Sequence, residues 1–259
     1  MKLLNLAIRY LKYIFTSQNN SSLHSPHVYE FTTNIIYKKT KNSSVREIKN
    51  LRSLLYNRND YIFITDFGAG SSINKSNKRK IKDIAKNSSK NSKYGELLYR
   101  IVEFYKPKNI LELGTSFGIS TCYLAKGNIN SKVKTFEGCP STAKIAKQNF
   151  KQLKIKNTNI IVGDFKNTLA KNISSEIDLA FVDGNHNQHA TLQYFNLIME
   201  NVNENAILIF DDIHWSNDME KAWNKIKESS KVKLTIDLFF VGLVFIDKKL
   251  SKENYIIRF

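Results

Sequence analysis

The stretch Asn109-Ile110-Leu111-Glu112-Leu113-Gly114-Thr115-Ser116-Phe117-Gly118 decides the fold. It is a short apolar run that contains one acid and ends in a turn with two glycines. The run follows Pro107 and is too short for a helix, so it predicts a buried strand. Gly114 and Gly118 let the backbone turn tightly and approach a ligand closely, and a helix is expected to begin near Ile119. A dinucleotide loop would need the spacing G-x-G-x-x-G, whereas the spacing here is E-x-G-x-x-x-G.

Four more apolar runs follow at intervals, at residues 132–136, 159–162, 177–182 and 206–210. Helical stretches separate them, and this alternation predicts an α/β fold with a parallel sheet. Residues 231–237 and 239–247 are two β-rich runs with no room for a crossover helix between them, so they must pair antiparallel. The expected sheet therefore has five parallel strands and a terminal antiparallel pair.

Acids stand at the predicted strand ends, where ligands bind in open α/β sheets. Glu137 lies 23 residues after Gly114, at a position where a carboxylate can accept hydrogen bonds from both ribose hydroxyls. Asp164, with Phe165 beside it, can accept from an adenine amino group while the ring stacks on the base. Any one such acid can instead cap the following helix. Together with Glu112 they form a series in strand order, which predicts a cofactor that contains adenosine.

The glycine turn resembles motif I of the class I S-adenosyl-L-methionine (SAM)-dependent methyltransferases, and the resemblance covers roughly residues 93–247. Residues 181–186 with Asp211-Asp212 are also similar to the methyltransferase 24 group and to cation-dependent O-methyltransferases. The resemblance implies a Rossmann-like sheet and SAM as the cofactor. The cofactor-binding residues that it implies are Glu112, Gly114, Thr115, Ser116, Gly118, Glu137, Gly138, Asp164, Phe165 and Asp183.

The last two strand ends are expected to carry the chemistry. Asp183, Asp211 and Asp212 are expected within reach of one another, and three close carboxylates either have raised pKa values or hold a hard cation. They resemble the metal site of cation-dependent O-methyltransferases, which implies Mg²⁺, although Asp212 stands where the catechol type commonly has Asn. The Asp183-x-x-His186 spacing resembles antibiotic-sugar O-methyltransferases and implies that His186 is the general base. His214 is an alternative base, and a structural role at a helix start is the other interpretation of His186.

The function expected is methyl transfer to a hydroxyl group of a small molecule or sugar. Such a reaction needs an in-line nucleophile, a lowered hydroxyl pKa and a base that titrates near neutral pH. Two rival functions stay open. One is an RNA methyltransferase that uses the basic front half of the chain, and the other is a SAM-binding or membrane-surface module without catalysis.

Residues 1–92 are expected to form a helical or lid extension, and residues 93–259 the methyltransferase domain. Within the extension, residues 2–15 have the pattern of an amphipathic helix, which can pack on its own domain, join a homodimer or lie on a membrane surface. His24 and His27 have no third metal ligand nearby, which favours a capping or substrate-pocket role. The glycine loop from Asp66 to Ser71 is expected to cover the active site.

Composition sets the outer limits for these hypotheses. The chain of 259 residues has a formal charge of +17, and residues 1–110 hold 21 Lys and Arg against 7 Asp and Glu. This excess indicates either an anionic partner or simply well-solvated basic surfaces. Cys122 and Cys139 show neither zinc spacing nor a disulfide framework. With no apolar run long enough to span a membrane, the expected location is the cytoplasm, and contact with the inner membrane surface is the alternative.

Overall fold

The structure is a computed structural model that describes residues 2–65, 77–88, 91–173 and 176–259. The α-helices are α1 (Lys2–Thr16), α2 (Pro26–Phe31), α3 (Ser43–Tyr56), α4 (Ile81–Ser88), α5 (Ser92–Tyr105), α6 (Ile119–Gly127), α7 (Pro140–Gln152), α8 (Phe165–Asn172), α9 (Gln188–Met199) and α10 (Asn217–Glu228). The strands are β1 (Tyr61–Phe63), β2 (Lys78–Lys80), β3 (Asn109–Leu113), β4 (Lys132–Glu137), β5 (Thr158–Val162), β6 (Ile177–Val182), β7 (Val202–Asp211), β8 (Leu234–Asp237), β9 (Val241–Phe245) and β10 (Glu253–Ile256). The glycine loop Asp66–Ser71 lies outside the described residues.

Two compact units make up the chain. The terminal unit combines Met1–Lys38 with Ser174–Phe259, and the central unit is Lys39–Ile173. Inside the central unit α3 packs against α6, whereas α1 packs against the C-terminal part of the chain. The predicted boundary at residue 92, between a helical extension and a methyltransferase domain, stays a prediction.

In the central unit, β3, β4 and β5 form parallel neighbours in that order. Ile110 and Leu111 of β3, whose side chains point to opposite faces, are both buried, as expected for a strand covered on both faces. Helices α5 and α6 pack so closely that a β-carbon at Gly95 would lie 2.3 Å from the ring of Tyr123. A small antiparallel hairpin of β1 and β2 completes this unit.

The terminal unit holds a sheet in the order β10-β8-β9-β7-β6. Strands β6 and β7 are parallel, while β9 runs antiparallel to both β7 and β8. The predicted antiparallel pair is therefore confirmed, and so is the predicted α/β class. Strand β10, parallel to β8 at the edge, was not predicted, because its four residues alternate only weakly between buried and exposed positions.

Helix α1 confirms the amphipathic helix predicted over residues 2–15. Its Tyr13 is buried, and the hydroxyl donates to the carbonyl oxygen of Ile257 at 2.6 Å. On the same side, Arg9 Nε lies 2.9 Å from Glu220 Oε2. One face of α1 thus packs against the rest of the terminal unit. Within the described ranges, no helix has the length and apolar character needed to cross a membrane.

Candidate functional site

The glycine turn after β3 has the conformation that its sequence predicts. Gly114, Ser116 and Gly118 have φ values of 99°, 47° and 78°, in the left-handed region that glycine adopts without strain. The amides of Gly114 and Thr115 donate to the carbonyl oxygen of Phe136 at 3.0 and 3.1 Å, which ties the turn to β4. A β-carbon at Gly118 would lie 2.5 Å from the ring of Phe150. Residue 118 must therefore be glycine for α6 to start at Ile119.

Glu137, at the end of β4, joins the turn to the start of α7. Its Oε2 accepts from the Ser116 amide at 2.7 Å, and its Oε1 accepts from the Cys139 amide at 2.8 Å. Burial raises the pKa of Glu137, although these amide hydrogen bonds act in the opposite direction. A carboxylate has about four acceptor positions, so both oxygens retain capacity for further donors such as ribose hydroxyls.

Glu112 supports the turn from inside the protein. Its side chain is fully buried, and Oε2 accepts hydrogen bonds from Thr121 and, at 2.6 Å, from Thr135. The Thr135 hydroxyl lies 2.6 Å from that of Thr115 in the turn. Burial raises the pKa of Glu112 to about 7, against the effect of these hydroxyl groups. The observed role of Glu112 is thus to fix two hydroxyls beneath the turn.

Asp164 caps a helix. Helix capping was the alternative role predicted for an acid at a strand end. Its side chain accepts from the amide of Lys166 at 3.1 Å, at the start of α8. The Phe165 ring meets Phe136 edge-on, with ring centroids 6.5 Å apart. This cap occupies one carboxylate oxygen, and the predicted adenine contact of Asp164 and Phe165 stays a proposal.

His186 lies between two carboxylates of the terminal unit. Its Nε2 is 3.4 Å from Asp183 Oδ1, after β6, and its Nδ1 is 3.9 Å from Asp212 Oδ2, after β7. All three side chains are partly exposed, at 31%, 19% and 17%, whereas the Nδ1 atom of His186 is itself buried. Asn185 and Asp212 have φ values of 60° and 55°, which turn the chain sharply after each strand. Two strand-end turns therefore bring the histidine and both acids together. The sequence predicted that Asp183 and Asp212 would lie within reach of each other, and it did not predict the approach of His186 to Asp212.

The third predicted metal ligand is in a different environment. Asp211 is the last residue of β7 and is only 1% exposed. In the part of the chain that the structure describes, no group of three or more His, Cys, Asp or Glu side chains is arranged to hold a metal ion. With the imidazole of His186 beside both Asp183 and Asp212, these side chains as placed do not fit a three-carboxylate cation site.

His214 is unsuited to be the alternative base. Its Nδ1 lies 3.0 Å from Glu220 Oε1 and its Nε2 lies 2.7 Å from Asp237 Oδ2, while its ring stacks on Phe239 at 5.3 Å. Burial lowers the pKa of His214, but the two carboxylates outweigh burial and raise the pKa above its ordinary value. Because a carboxylate oxygen already faces each ring nitrogen, neither nitrogen of His214 is open to take a proton from an acceptor hydroxyl.

The other three histidines show no such arrangement. His189, in the first turn of α9, is exposed. His24 is exposed as well, and His27 packs edge-on against Phe245 with its pKa lowered by burial. The sequence did not predict the cluster of His214, Glu220 and Asp237, since these residues share no local pattern.

Comparison with known proteins agrees with this geometry. Residues 111–213 match a family model described as a methyltransferase domain. A catechol O-methyltransferase of Mycobacterium tuberculosis is 25% identical over 121 residues, which are 46% of this chain and 54% of that protein. The chain thus spans about half the length of this curated relative.

Solved structures show the same fold at low identity. The SAH-bound methyltransferase PaMTH1 of Podospora anserina aligns with a TM-score of 0.60 and 16% identity, over 86% of this chain and 96% of that one. An O-methyltransferase of Bacillus cereus in complex with SAH gives a TM-score of 0.56 and 18% identity, over 85% and 97%. Residues 111–213 therefore match the methyltransferase domain family, within a chain that has the fold of the class I SAM-dependent methyltransferases.

Proposed function

We propose that this chain transfers the methyl group of SAM to a hydroxyl group of a small molecule or sugar, with His186 as the general base. The observation that carries the proposal is the methyltransferase-domain match over residues 111–213, which includes the glycine turn, Glu137 and His186. The placement of His186 between Asp183 and Asp212 supports the assignment of the base.

The central unit supplies the groups that would hold SAM. The turn from Gly114 to Gly118 offers backbone for the amino-acid end of the cofactor, and Glu137 offers acceptors for the ribose diol. Asp164 and Phe165 are proposed to contact the adenine. When bound, SAM would supply a methyl group on a positively charged sulfur. An in-line oxygen nucleophile could attack this methyl carbon, with the neutral thioether as the leaving group.

His186 is proposed to take the proton of the acceptor hydroxyl. A neutral imidazole can accept a proton, and Asp183 and Asp212 place a carboxylate on each side of the His186 ring. Asp183 is at 3.4 Å, close enough to orient the ring, and Asp212 adds negative charge on the other side. The base thus has a positioning partner, as an efficient proton acceptor needs.

A divalent cation such as Mg²⁺ is a separate hypothesis. Asp183, Asp211 and Asp212 are the carboxylates that would supply its oxygen ligands, and a bound cation would lower the hydroxyl pKa. Because these side chains do not form a three-ligand group as placed, no step is assigned to the cation. A chelator tests this hypothesis independently of the histidine.

The test is a methyl-transfer assay against a panel of hydroxyl acceptors, with SAM binding measured by calorimetry. We expect His186→Ala to lower turnover by about 10²-fold or more, the usual contribution of a positioned base, while SAM affinity stays within about threefold. His189→Ala is the matched control, since this exposed histidine lies one turn away. Equal rates for both variants would remove His186 from the mechanism.

One observation favours the RNA alternative as a second candidate. The central unit holds 27 Lys and Arg against 9 Asp and Glu, a formal charge of +18. A surface groove of about 500 Å³ in this unit is lined by Lys147, Lys151, Lys154 and Lys156. If RNA is the substrate, its binding must weaken steeply between low and physiological salt, and Lys→Gln changes in the groove must reduce that salt dependence. Salt-insensitive or absent RNA binding would leave the small-molecule proposal.

A further inference from the structure

Helix α1 has a second apolar face, opposite the one that is seated on the terminal unit. Leu4, Ile8, Leu11 and Phe15 on this outer face are 65%, 57%, 56% and 85% exposed. Single exposed apolar residues are ordinary on a protein surface, but a contiguous apolar patch usually marks an interaction site. The stability of a single chain does not explain this stripe, because the inner face already holds the helix in place through Tyr13 and Arg9.

The spacing of the four side chains indicates what kind of surface they fit. They recur at intervals of four, three and four residues, which places them in a single narrow line along the helix. Tyr10, 43% exposed, lies beside this line and packs its ring edge-on against Phe239. A line with this alternation is the seam of a helix pair, in which Leu4 and Leu11 take one seam position and Ile8 and Phe15 take the other. Leucine at the first position and β-branched Ile8 at the second are the residue types of two-stranded coils.

The exposed area is sufficient for a pair. At roughly 200 Å² for a side chain of this size, the exposed fractions amount to about 500 Å² per copy and about 1,000 Å² for two copies. Specific interfaces begin at about 1,000 Å² of total buried area. The stripe alone therefore reaches the lower limit for a specific dimer.

Charge distinguishes a second copy from an anionic membrane as the partner. The terminal unit holds 13 Lys and Arg against 14 Asp and Glu, a formal charge of −1, so the unit that carries the stripe has no excess of positive charge for acidic lipids. Helix α1 contains three cations, Lys2, Arg9 and Lys12, and of these Arg9 is paired with Glu220 on the inner face. In a helix pair, Lys12 would face Ala7 of the other copy if the two helices are parallel and Asn5 if they are antiparallel. In both arrangements Lys12 faces no cation.

We propose that a second copy of this chain covers the outer face of α1, so that Leu4, Ile8, Leu11 and Phe15 of the two copies pack together around a two-fold axis. Such a contact is self-complementary, as closed dimers require. This inference concerns α1 alone and is independent of the proposed methyl transfer.

The test is sedimentation equilibrium of the full chain over a wide concentration range. The expected result for the wild type is a reversible dimer of twice the 29.9 kDa chain mass. Ile8→Gln with Leu11→Gln is expected to raise the dimer dissociation constant at least about tenfold, because both changes place an amide in the apolar seam. Far-UV circular dichroism should stay unchanged, since both side chains are exposed in one copy.

The matched control is Ile129→Gln with Leu54→Gln. It changes the same two residue types at exposed positions of the central unit, with exposures of 78% and 56%. The control protein should associate as the wild type does. A wild type that stays monomeric at every concentration would overturn the proposal, and so would equal weakening in both double variants. A monomer that sediments with vesicles of anionic phospholipid would assign the stripe to a membrane surface instead.

Discussion

Replacing Glu137 by alanine tests the cofactor site most directly. The carboxylate now accepts two backbone hydrogen bonds, at 2.7 Å from Ser116 and 2.8 Å from Cys139. The substitution removes these bonds and also the acceptors proposed for the ribose diol. Hydrogen bonds to a charged group contribute about 1.5–3 kcal/mol each, but part of this is regained from water. We expect SAM affinity to fall by on the order of 2 kcal/mol, or roughly 30-fold.

Calorimetry of SAM and SAH binding measures the loss of affinity. Thermal unfolding without ligand shows how much the lost hydrogen bonds to Ser116 and Cys139 destabilise the fold itself. Glu137→Gln keeps the shape of the side chain and one acceptor oxygen, so it should lose less affinity than Glu137→Ala. Asp60→Ala, at an exposed carboxylate paired with Arg58 in the same unit, should leave SAM affinity unchanged. Unchanged SAM affinity for Glu137→Ala would refute the assignment, because the ribose would then be held elsewhere.

Three further predictions follow from single side chains. If Asp183 orients His186, Asp183→Asn should slow turnover by about 10-fold or more with little change in SAM affinity. If turnover is unchanged by Asp183→Asn and by a chelator, the acids have only a structural role. If the turnover of Asp183→Asn recovers at raised Mg²⁺, the cation hypothesis is favoured. Because the folded-state pKa of His214 is raised, its contribution to stability is fully present below its unfolded pKa of about 6.5 and is lost as pH rises through the folded value. His214→Gln should therefore destabilise the protein at pH 6 more than at pH 9 in denaturant titrations, and an equal loss at both values would contradict the charged contact. Gly118→Ala should lower the free energy of unfolding by about 1–3 kcal/mol and weaken SAM binding, since its φ of 78° and the ring of Phe150 both exclude a β-carbon. Wild-type stability in this variant would show that the turn adapts.

The sequence by itself determined the succession of strands from β3 to β9, with helices between the parallel ones, and the acids at the strand ends. The turn from Gly114 to Gly118, the start of α6 at Ile119 and the antiparallel β8–β9 pair all follow from spacing within a few residues. The proximity of Asp183 and Asp212 was also predictable, because residues at neighbouring strand ends meet in a parallel sheet, whereas the approach of His186 to Asp212 was not.

Only the tertiary structure decided which of these groups are buried and which are paired. His214 resembled a base in the sequence, yet Glu220 and Asp237 engage both of its ring nitrogens, and Asp237 lies 23 residues away along the chain. Glu112 is enclosed by threonines from α6 and β4, and the covered face of α1 is set by Ile257 and Glu220. Local periodicity shows where a side chain points relative to its own element. Its desolvation and its partners depend on segments that are distant in sequence, because burial and charge pairing are set by packing in three dimensions.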